Sequence, residues 1–152
     1  MDLGLKGRRA AVAAGSAGLG LGSAIALAND GAEVVICGRN EHKLSEAVSR
    51  IGHGARYVVC DVSDATGGAA FVEQAESLLG GVDILVCNAG GPPGGTFAST
   101  PVDAYERALD LSLLSVVGMC KAAIPAMQAR KWGRVVAITS YGVRQPIPTL
   151  IL

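Results

Sequence analysis

Residues Val12 to Gly20, Val-Ala-Ala-Gly-Ser-Ala-Gly-Leu-Gly, constrain the fold of this chain more than any other stretch. An apolar run, Ala10 to Ala14, stops at glycines, and a helix-forming segment follows through Ser23 to Ala28. Gly31-Ala32 breaks that helix, and Glu33 to Cys37 reads as a second strand. Strand, glycine turn, helix and strand within about thirty residues make a βαβ unit. Glycine permits a sharp bend and lets a ligand approach with no Cβ in the way. The helix that follows presents unpaired N–H groups and the positive end of its dipole, which stabilise a phosphate or pyrophosphate. Gly18, Leu19 and Gly20 are expected to lie closest to such a group. The same spacing also fits a βα turn with no ligand, and the later motifs bear on the choice.

With 152 residues, half of them hydrophobic, the chain is long enough for one domain with a real core. Its 21 glycines and 4% aromatic content suit a parallel sheet buried on both faces rather than a stacking platform for single-stranded nucleic acid. Thirteen basic residues balance thirteen acidic ones, so no nucleic-acid or other polyanionic partner is expected. The segment Met1 to Lys6 lacks the apolar core of a signal peptide. The longest apolar stretch, Leu111 to Met127, is interrupted by Lys121 and Pro125, and no membrane span is expected. Cys37, Cys60, Cys87 and Cys120 form no CxxC pair and read as buried thiols of a reducing, cytoplasmic compartment. His42 and His53 have no ligand-like neighbours, so no metal site is expected.

Strand two closes in Cys37-Gly38-Arg39-Asn40. An acidic residue at such a position bonds a ribose 2′-hydroxyl, whereas an arginine meets a 2′-phosphate. Arg39 therefore points to NADP over NAD, against the plainer reading of an exposed strand-end arginine. Asn40 is the expected cap of helix two, whose stripe is Leu44, Ala47, Val48 and Ile51. Arg56 to Cys60 reads as strand three, and Ser63 or Asp64 starts helix three. Asp61 either accepts from an adenine amino group or caps its own loop. Val82 to Cys87 reads as strand four and ends in Asn88-Ala89-Gly90-Gly91, small residues that let a flat ligand lie across the edge. Asn88 is read as a brace between strands or a group beside the ligand. Thr100-Pro101 are expected at N-cap and N1 of a long fourth helix running to Met127, with a kink or break at Pro125. Its apolar surface exceeds what one sheet face buries, which points to a second copy of the chain as partner. Arg134 to Thr139 reads as strand five, and Ser140 either bonds a substrate oxygen or serves the turn. The alternation predicts a Rossmann-like, doubly wound parallel sheet of order 3-2-1-4-5, with a ligand crevice where strands one and four part.

Taken together, these motifs resemble the short-chain dehydrogenase/reductase family, in particular its 3-oxoacyl-carrier-protein-reductase-like members. The family's Thr-Gly-x-x-x-Gly-x-Gly falls on Ala13 to Gly20, its Asp-Val on Asp61 and Val62, its Asn-Asn-Ala-Gly on Cys87 to Gly90, and its catalytic serine on Ser140. Four positions depart: Ala13 and Ala14 replace the first threonine and glycine, Cys87 replaces an asparagine, and Ser112 stands at the fourth-helix asparagine. The family's catalytic tyrosine would fall at position 153 and its lysine four residues later; Tyr141, Lys121 and Lys131 do not match them. The resemblance implies an oxidoreductase moving a hydride between NADP(H) and a small carbonyl or alcohol substrate, with residues 1–152 as the N-terminal, nucleotide-binding portion. The cofactor-binding set it implies is Gly15, Ser16, Gly18, Leu19 and Gly20 in the turn, Arg39 at the 2′-phosphate, Asp61 and Val62 at the adenine, and Asn88, Ala89 and Gly90 on the ribose side. The departures keep a second reading open: a non-catalytic nucleotide-binding or dimerising module, or an inactive truncated product.

Overall fold

Alternating apolar and helix-forming segments build five parallel strands in the computed structural model, which describes residues 2–152. The elements run β1 (Arg9–Val12), α1 (Gly18–Asn29), β2 (Glu33–Gly38), α2 (Glu41–Ile51), β3 (Arg56–Val59), α3 (Ala65–Leu79) and β4 (Ile84–Cys87). They continue as α4 (Val102–Leu109), a π turn (Asp110–Leu114), α5 (Ser115–Ala129), β5 (Arg134–Ala137) and a 3-10 turn (Tyr141–Val143). The strand order is β3-β2-β1-β4-β5, as the sequence predicts. Val12 lies opposite Ile36 on one side and Val86 on the other, so β1 is the central strand. The order reverses there, and the carboxyl ends of β1 and β4 part into a crevice.

Strand residues alternate between two cores because successive side chains point to opposite faces. Ala11, Ala13, Val35, Cys37, Leu85 and Cys87 pack with Phe71, Val72 and Ala75 of α3 and Met119, Ala123 and Met127 of α5. Ala10, Val12, Val34, Ile36, Ile84 and Val86 pack with Leu21, Ala24 and Ala28 of α1 and Leu44, Ala47 and Ile51 of α2. Helices on both faces explain why the strands are apolar throughout. The helices α3 and α5 approach at glycines: a Cβ on Gly118 would sit 2.0 Å from Ala65 O, and one on Gly68 would sit 2.4 Å from Ser115 O.

The helix starts follow local capping chemistry. Asn40 Oδ1 accepts from Lys43 N–H at 2.9 Å, and Asp64, not Ser63, caps α3 by accepting from Gly67 N–H at 2.8 Å. The fourth helix departs from expectation at both points. Pro101 takes the N-cap position, one residue later than predicted, because the Thr100 hydroxyl donates to Thr96 O at 2.7 Å within the preceding turn. The break falls at Asp110–Leu114 rather than at Pro125, which lies inside α5. Next to this wider turn Ser115 Oγ donates to Leu111 O at 2.6 Å.

The whole segment Val102–Ala129 is 28 residues with a mean hydropathy of 1.5, long and apolar enough by length and composition to cross a membrane. Here its inward residues Ser115, Gly118, Met119, Ala123 and Met127 are buried, while Val102, Leu109 and Leu113 stay exposed. Strand β5 is shorter than predicted and exposed along its length. Leu150 forms a bridge with Gly95, whose N–H donates to Thr149 O at 2.8 Å, while Leu150 and Ile151 stay exposed.

Candidate functional site

The turn after β1 is shaped by three close approaches. A Cβ on Gly15 would lie 2.7 Å from the Ile36 side chain, and the Gly15 N–H donates to Cys37 O at 2.9 Å, so the turn is pressed onto β2. A Cβ on Gly20 would lie 2.5 Å from Ala14 O and 2.8 Å from Asn88 Nδ2. Gly18 has φ +55° and open space where a Cβ would stand. The backbone of Ala14 is also left-handed, φ +47°, a conformation that favours glycine. The position where the sequence departs from the family glycine is thus the position where glycine is conformationally preferred.

Helix α1 starts without a side-chain cap, since Ala17 has no acceptor to offer. Its first N–H groups, in Gly18, Leu19 and Gly20, lie at the carboxyl edge of the sheet with the dipole's positive end behind them; Gly18 and Leu19 are exposed there and Gly20 is buried. Asn88 Nδ2 donates to both Ala13 O and Ala14 O at 3.3 Å, so this side chain braces β4 to the glycine turn. Ala89 and Gly90 follow it along the same edge.

A crevice of about 530 Å³ opens beside this turn. It gathers Ser16, Arg39, Asp61, Val62 and Gly90 from four separate segments of the chain. Among the described residues the Arg39 guanidinium makes no ion pair or side-chain hydrogen bond, and it is exposed. Asp61 Oδ1 accepts from Ser63 N–H at 3.1 Å, which is the loop-capping role, and Val62 is buried beside it. Sequence reasoning did not place Cys60, Arg107, Asp110 and Leu111 here, yet all four line the crevice. Arg107, Asp110 and Leu111 are three or four residues apart and share a helix face; that spacing was the available signal. Arg107 is held by Asp103, one turn earlier on the same helix.

The two candidate serines stand apart from this wall. Neither Ser140 nor Ser112 lines the crevice, and both are exposed. Ser140 Oγ accepts from Gly142 N–H at 3.0 Å and caps the 3-10 turn. Ser112 sits in the π turn. Burial raises the thiols of Cys37 and Cys87 to about 12, with Cys120 adding to the effect at Cys87. Cys60 and Cys120 are only half-buried, short of the full burial expected for all four.

A doubly wound parallel sheet with a glycine turn and an uncapped helix start at its switch point defines a Rossmann-like α/β protein. Comparison with known proteins narrows the class. The family model for short chain dehydrogenases matches residues 8–152. Dehydrogenase/reductase SDR family member 4 of Sus scrofa is 34% identical over 150 residues, covering 96% of this chain and 54% of that protein. D-beta-hydroxybutyrate dehydrogenase of Cupriavidus necator is 32% identical over 139 residues, 90% of this chain and 54% of that one. Among solved structures, a 3-oxoacyl (acyl-carrier-protein) reductase from Agrobacterium tumefaciens with NADP bound superposes with a TM-score of 0.90 at 36% identity, over 96% of this chain and 57% of that chain. The chain belongs to the short-chain dehydrogenase family. It spans about half the length of the curated relatives it matches.

Proposed function

We propose that residues 1–152 form the nucleotide-binding portion of an NADP-dependent oxidoreductase acting on a small carbonyl or alcohol substrate. The observation that carries this proposal is an unengaged Arg39 that lines one crevice with Ser16 of the turn, two residues before the uncapped start of α1. Gly18, Leu19 and Gly20 would hold the pyrophosphate through backbone N–H groups, with Gly15 and Ser16 completing the turn. Arg39 would pair with the 2′-phosphate. Val62 would pack on the adenine and the free Oδ2 of Asp61 would accept from its amino group, while Asn88, Ala89 and Gly90 would flank the ribose. Similarity to a reductase with NADP bound supports the cofactor assignment. The nicotinamide, when bound, supplies the hydride; the chain's contribution is to bind and orient it.

Ser140 is proposed to orient the substrate oxygen. Its oxygen accepts from Gly142 N–H, which leaves the hydroxyl proton free to donate. Ser112 is proposed as its partner in the fourth helical segment. No proton transfer to the substrate is assigned to a residue of this chain. The exposed Val102, Leu109, Leu113 and Leu114 support a second copy as partner across α4 and the π turn. Four unpaired thiols support a reducing, cytoplasmic setting.

Alanine at position 14, cysteine at 87 and serine at 112, with neither serine at the crevice, favour one alternative: a nucleotide-binding module without catalysis. Fluorescence titration with NADPH and NADH tests both readings. NADPH should bind more tightly, and Arg39→Ala should weaken NADPH by about tenfold while leaving NADH unchanged, since a hydrogen bond to a charged group contributes about 1.5–3 kcal/mol. Equal affinity for both nucleotides, unmoved by Arg39→Ala, would sink the NADP assignment. Failure of a monodisperse, folded chain to bind either nucleotide would overturn nucleotide binding itself.

A further inference from the structure

The starts of α3 and α5 press together. A Cβ on Gly118 would meet Ala65 O, and one on Gly68 would meet Ser115 O. The segments leading into these two helices are thereby brought side by side, Cys60 to Asp64 before α3 and Arg107 to Leu111 before α5. Both segments line the crevice beside the glycine turn. Arg107 thus shares a wall with Asp61 and Val62, although more than forty residues of chain separate them.

Arg107 is placed to give hydrogen bonds here. Its Nη1 donates to Asp103, one turn back on α4, and among the described residues this is its only side-chain bond. The pair is exposed, Arg107 by 69%, and so contributes little to stability. It does restrain the guanidinium, and the remaining N–H groups of the rigid fork stay free to donate. Across the same wall Asp61 accepts from Ser63 N–H through Oδ1, which leaves Oδ2 as a free acceptor. A donor and an acceptor therefore line one wall, with Val62 and Leu111 supplying apolar surface between them and the turn.

We propose that Arg107 reads the base of the nucleotide, donating to adenine ring nitrogen N1 while Asp61 accepts from the neighbouring 6-amino group. This role rests on the nucleotide site proposed above. The base hangs from its ribose through N9, so its far edge carries N1 and the amino group. With the ribose at Asn88 to Gly90, that edge meets the wall formed by the Asp61 loop and α4. The edge offers an acceptor beside a donor, and Arg107 with Asp61 offers the complement. A 6-oxo base reverses both positions. Its oxygen would face the Asp61 carboxylate, and its protonated N1 would face the guanidinium, leaving both protein groups unpaired. The wall therefore selects adenine over hypoxanthine. Arg39 and Arg107 divide the recognition: the first reads the 2′-phosphate that distinguishes NADP from NAD, the second reads the base that both carry.

The experiment titrates the full chain with NADH, NADPH and reduced nicotinamide hypoxanthine dinucleotide, followed by fluorescence. Wild type should bind NADH about tenfold more tightly than the hypoxanthine form. Arg107→Ala should weaken NADH and NADPH alike, by about fivefold, the size of one net hydrogen bond, and leave the hypoxanthine form unchanged. Because Arg107 is exposed, the variant should melt as wild type does. Equal binding of the two bases by wild type, or an Arg107→Ala protein that binds NADH as wild type does, overturns the base reading. A loss confined to NADPH assigns Arg107 to the phosphate instead, and an equal loss for the hypoxanthine form assigns it to a group other than the base; either result overturns the proposal. A folded wild type that binds none of the three overturns the nucleotide site itself, an outcome distinct from binding that persists and ignores Arg107.

Discussion

Arg9 and Asp83 close the amino edge of the sheet with a two-pronged ion pair. Arg9 Nε and Nη2 each donate to Asp83 at 2.8 Å, one to either carboxylate oxygen, and Asp83 is 5% exposed. The Arg9 backbone N–H adds a third bond to the carboxylate at 3.1 Å. Arg130 at the end of α5 approaches Asp83 Oδ1 at 3.5 Å, while its Nη2 donates to Val82 O at 2.6 Å. One carboxylate thus fastens the starts of β1 and β4 to the end of α5, at the edge opposite the crevice.

Replacing this carboxylate should destabilise the fold without altering the crevice. Asp83→Asn removes the bidentate partner of the Arg9 guanidinium, and the charge that Arg130 approaches, and is expected to cost about 3 kcal/mol, as for other broken buried pairs. Arg9 hydrogen bonds hold the Asp83 carboxyl below its ordinary range. A carboxyl depressed in the folded state contributes stability that is present above its unfolded value, near pH 4, and is lost as pH falls through the lower folded value. Chemical denaturation should show wild type losing stability below about pH 4 faster than Asp83→Asn does. Parallel acid profiles for the two proteins would contradict this assignment.

Ala14 offers the opposite sign. Its left-handed backbone, φ +47°, strains an L side chain, and Ala14→Gly relieves about 1–2 kcal/mol of that strain against about 0.5–1 kcal/mol of added chain entropy. The net should be a stabilisation of up to about 1 kcal/mol, read as a rise in Tm of roughly 2–4 °C. Ala14→Val should lower Tm, because a β-branched side chain tolerates this region least. A drop in Tm for Ala14→Gly would show that the turn is not strained.

Gly20 and Gly22, two residues apart in α1, should respond in opposite directions to alanine. A Cβ at Gly20 meets Ala14 O and Asn88 Nδ2, whereas one at Gly22 meets nothing within 4 Å. Gly20→Ala should lower stability by about 1–3 kcal/mol through overpacking and disturb nucleotide binding through Asn88. Gly22→Ala should raise stability by about 0.5–1 kcal/mol, the helix-propensity difference. Thermal melts of both variants, with an NADPH titration, check the pair.

The helices α3 and α5 approach closely at Gly118. Gly118→Ala would place a Cβ 2.0 Å from Ala65 O, backbone that cannot swing away. The helices must then separate, and the expected loss is about 1–3 kcal/mol. Denaturant titration should show a lower midpoint; an unchanged one would mean that the helices slide apart freely.

Much of this protein is determined by the sequence alone. Apolar runs bounded by glycine and cap residues locate all five strands, because a strand buried on both faces admits little else. The strand order follows from right-handed crossovers and one reversal, and the order β3-β2-β1-β4-β5 agrees. Asn40 as a cap is equally legible, since capping depends on residues three apart. Only the tertiary structure decided the rest. The break of the fourth helical segment falls in the π turn at Asp110–Leu114, while Pro125 is accommodated inside α5. The presence of Arg107, Asp110 and Leu111 at the crevice beside Ser16, Arg39 and Asp61 joins residues far apart in the chain. The strain at Ala14 arises because the turn must fit between β2 and Asn88, a demand set by its neighbours and not by its own sequence.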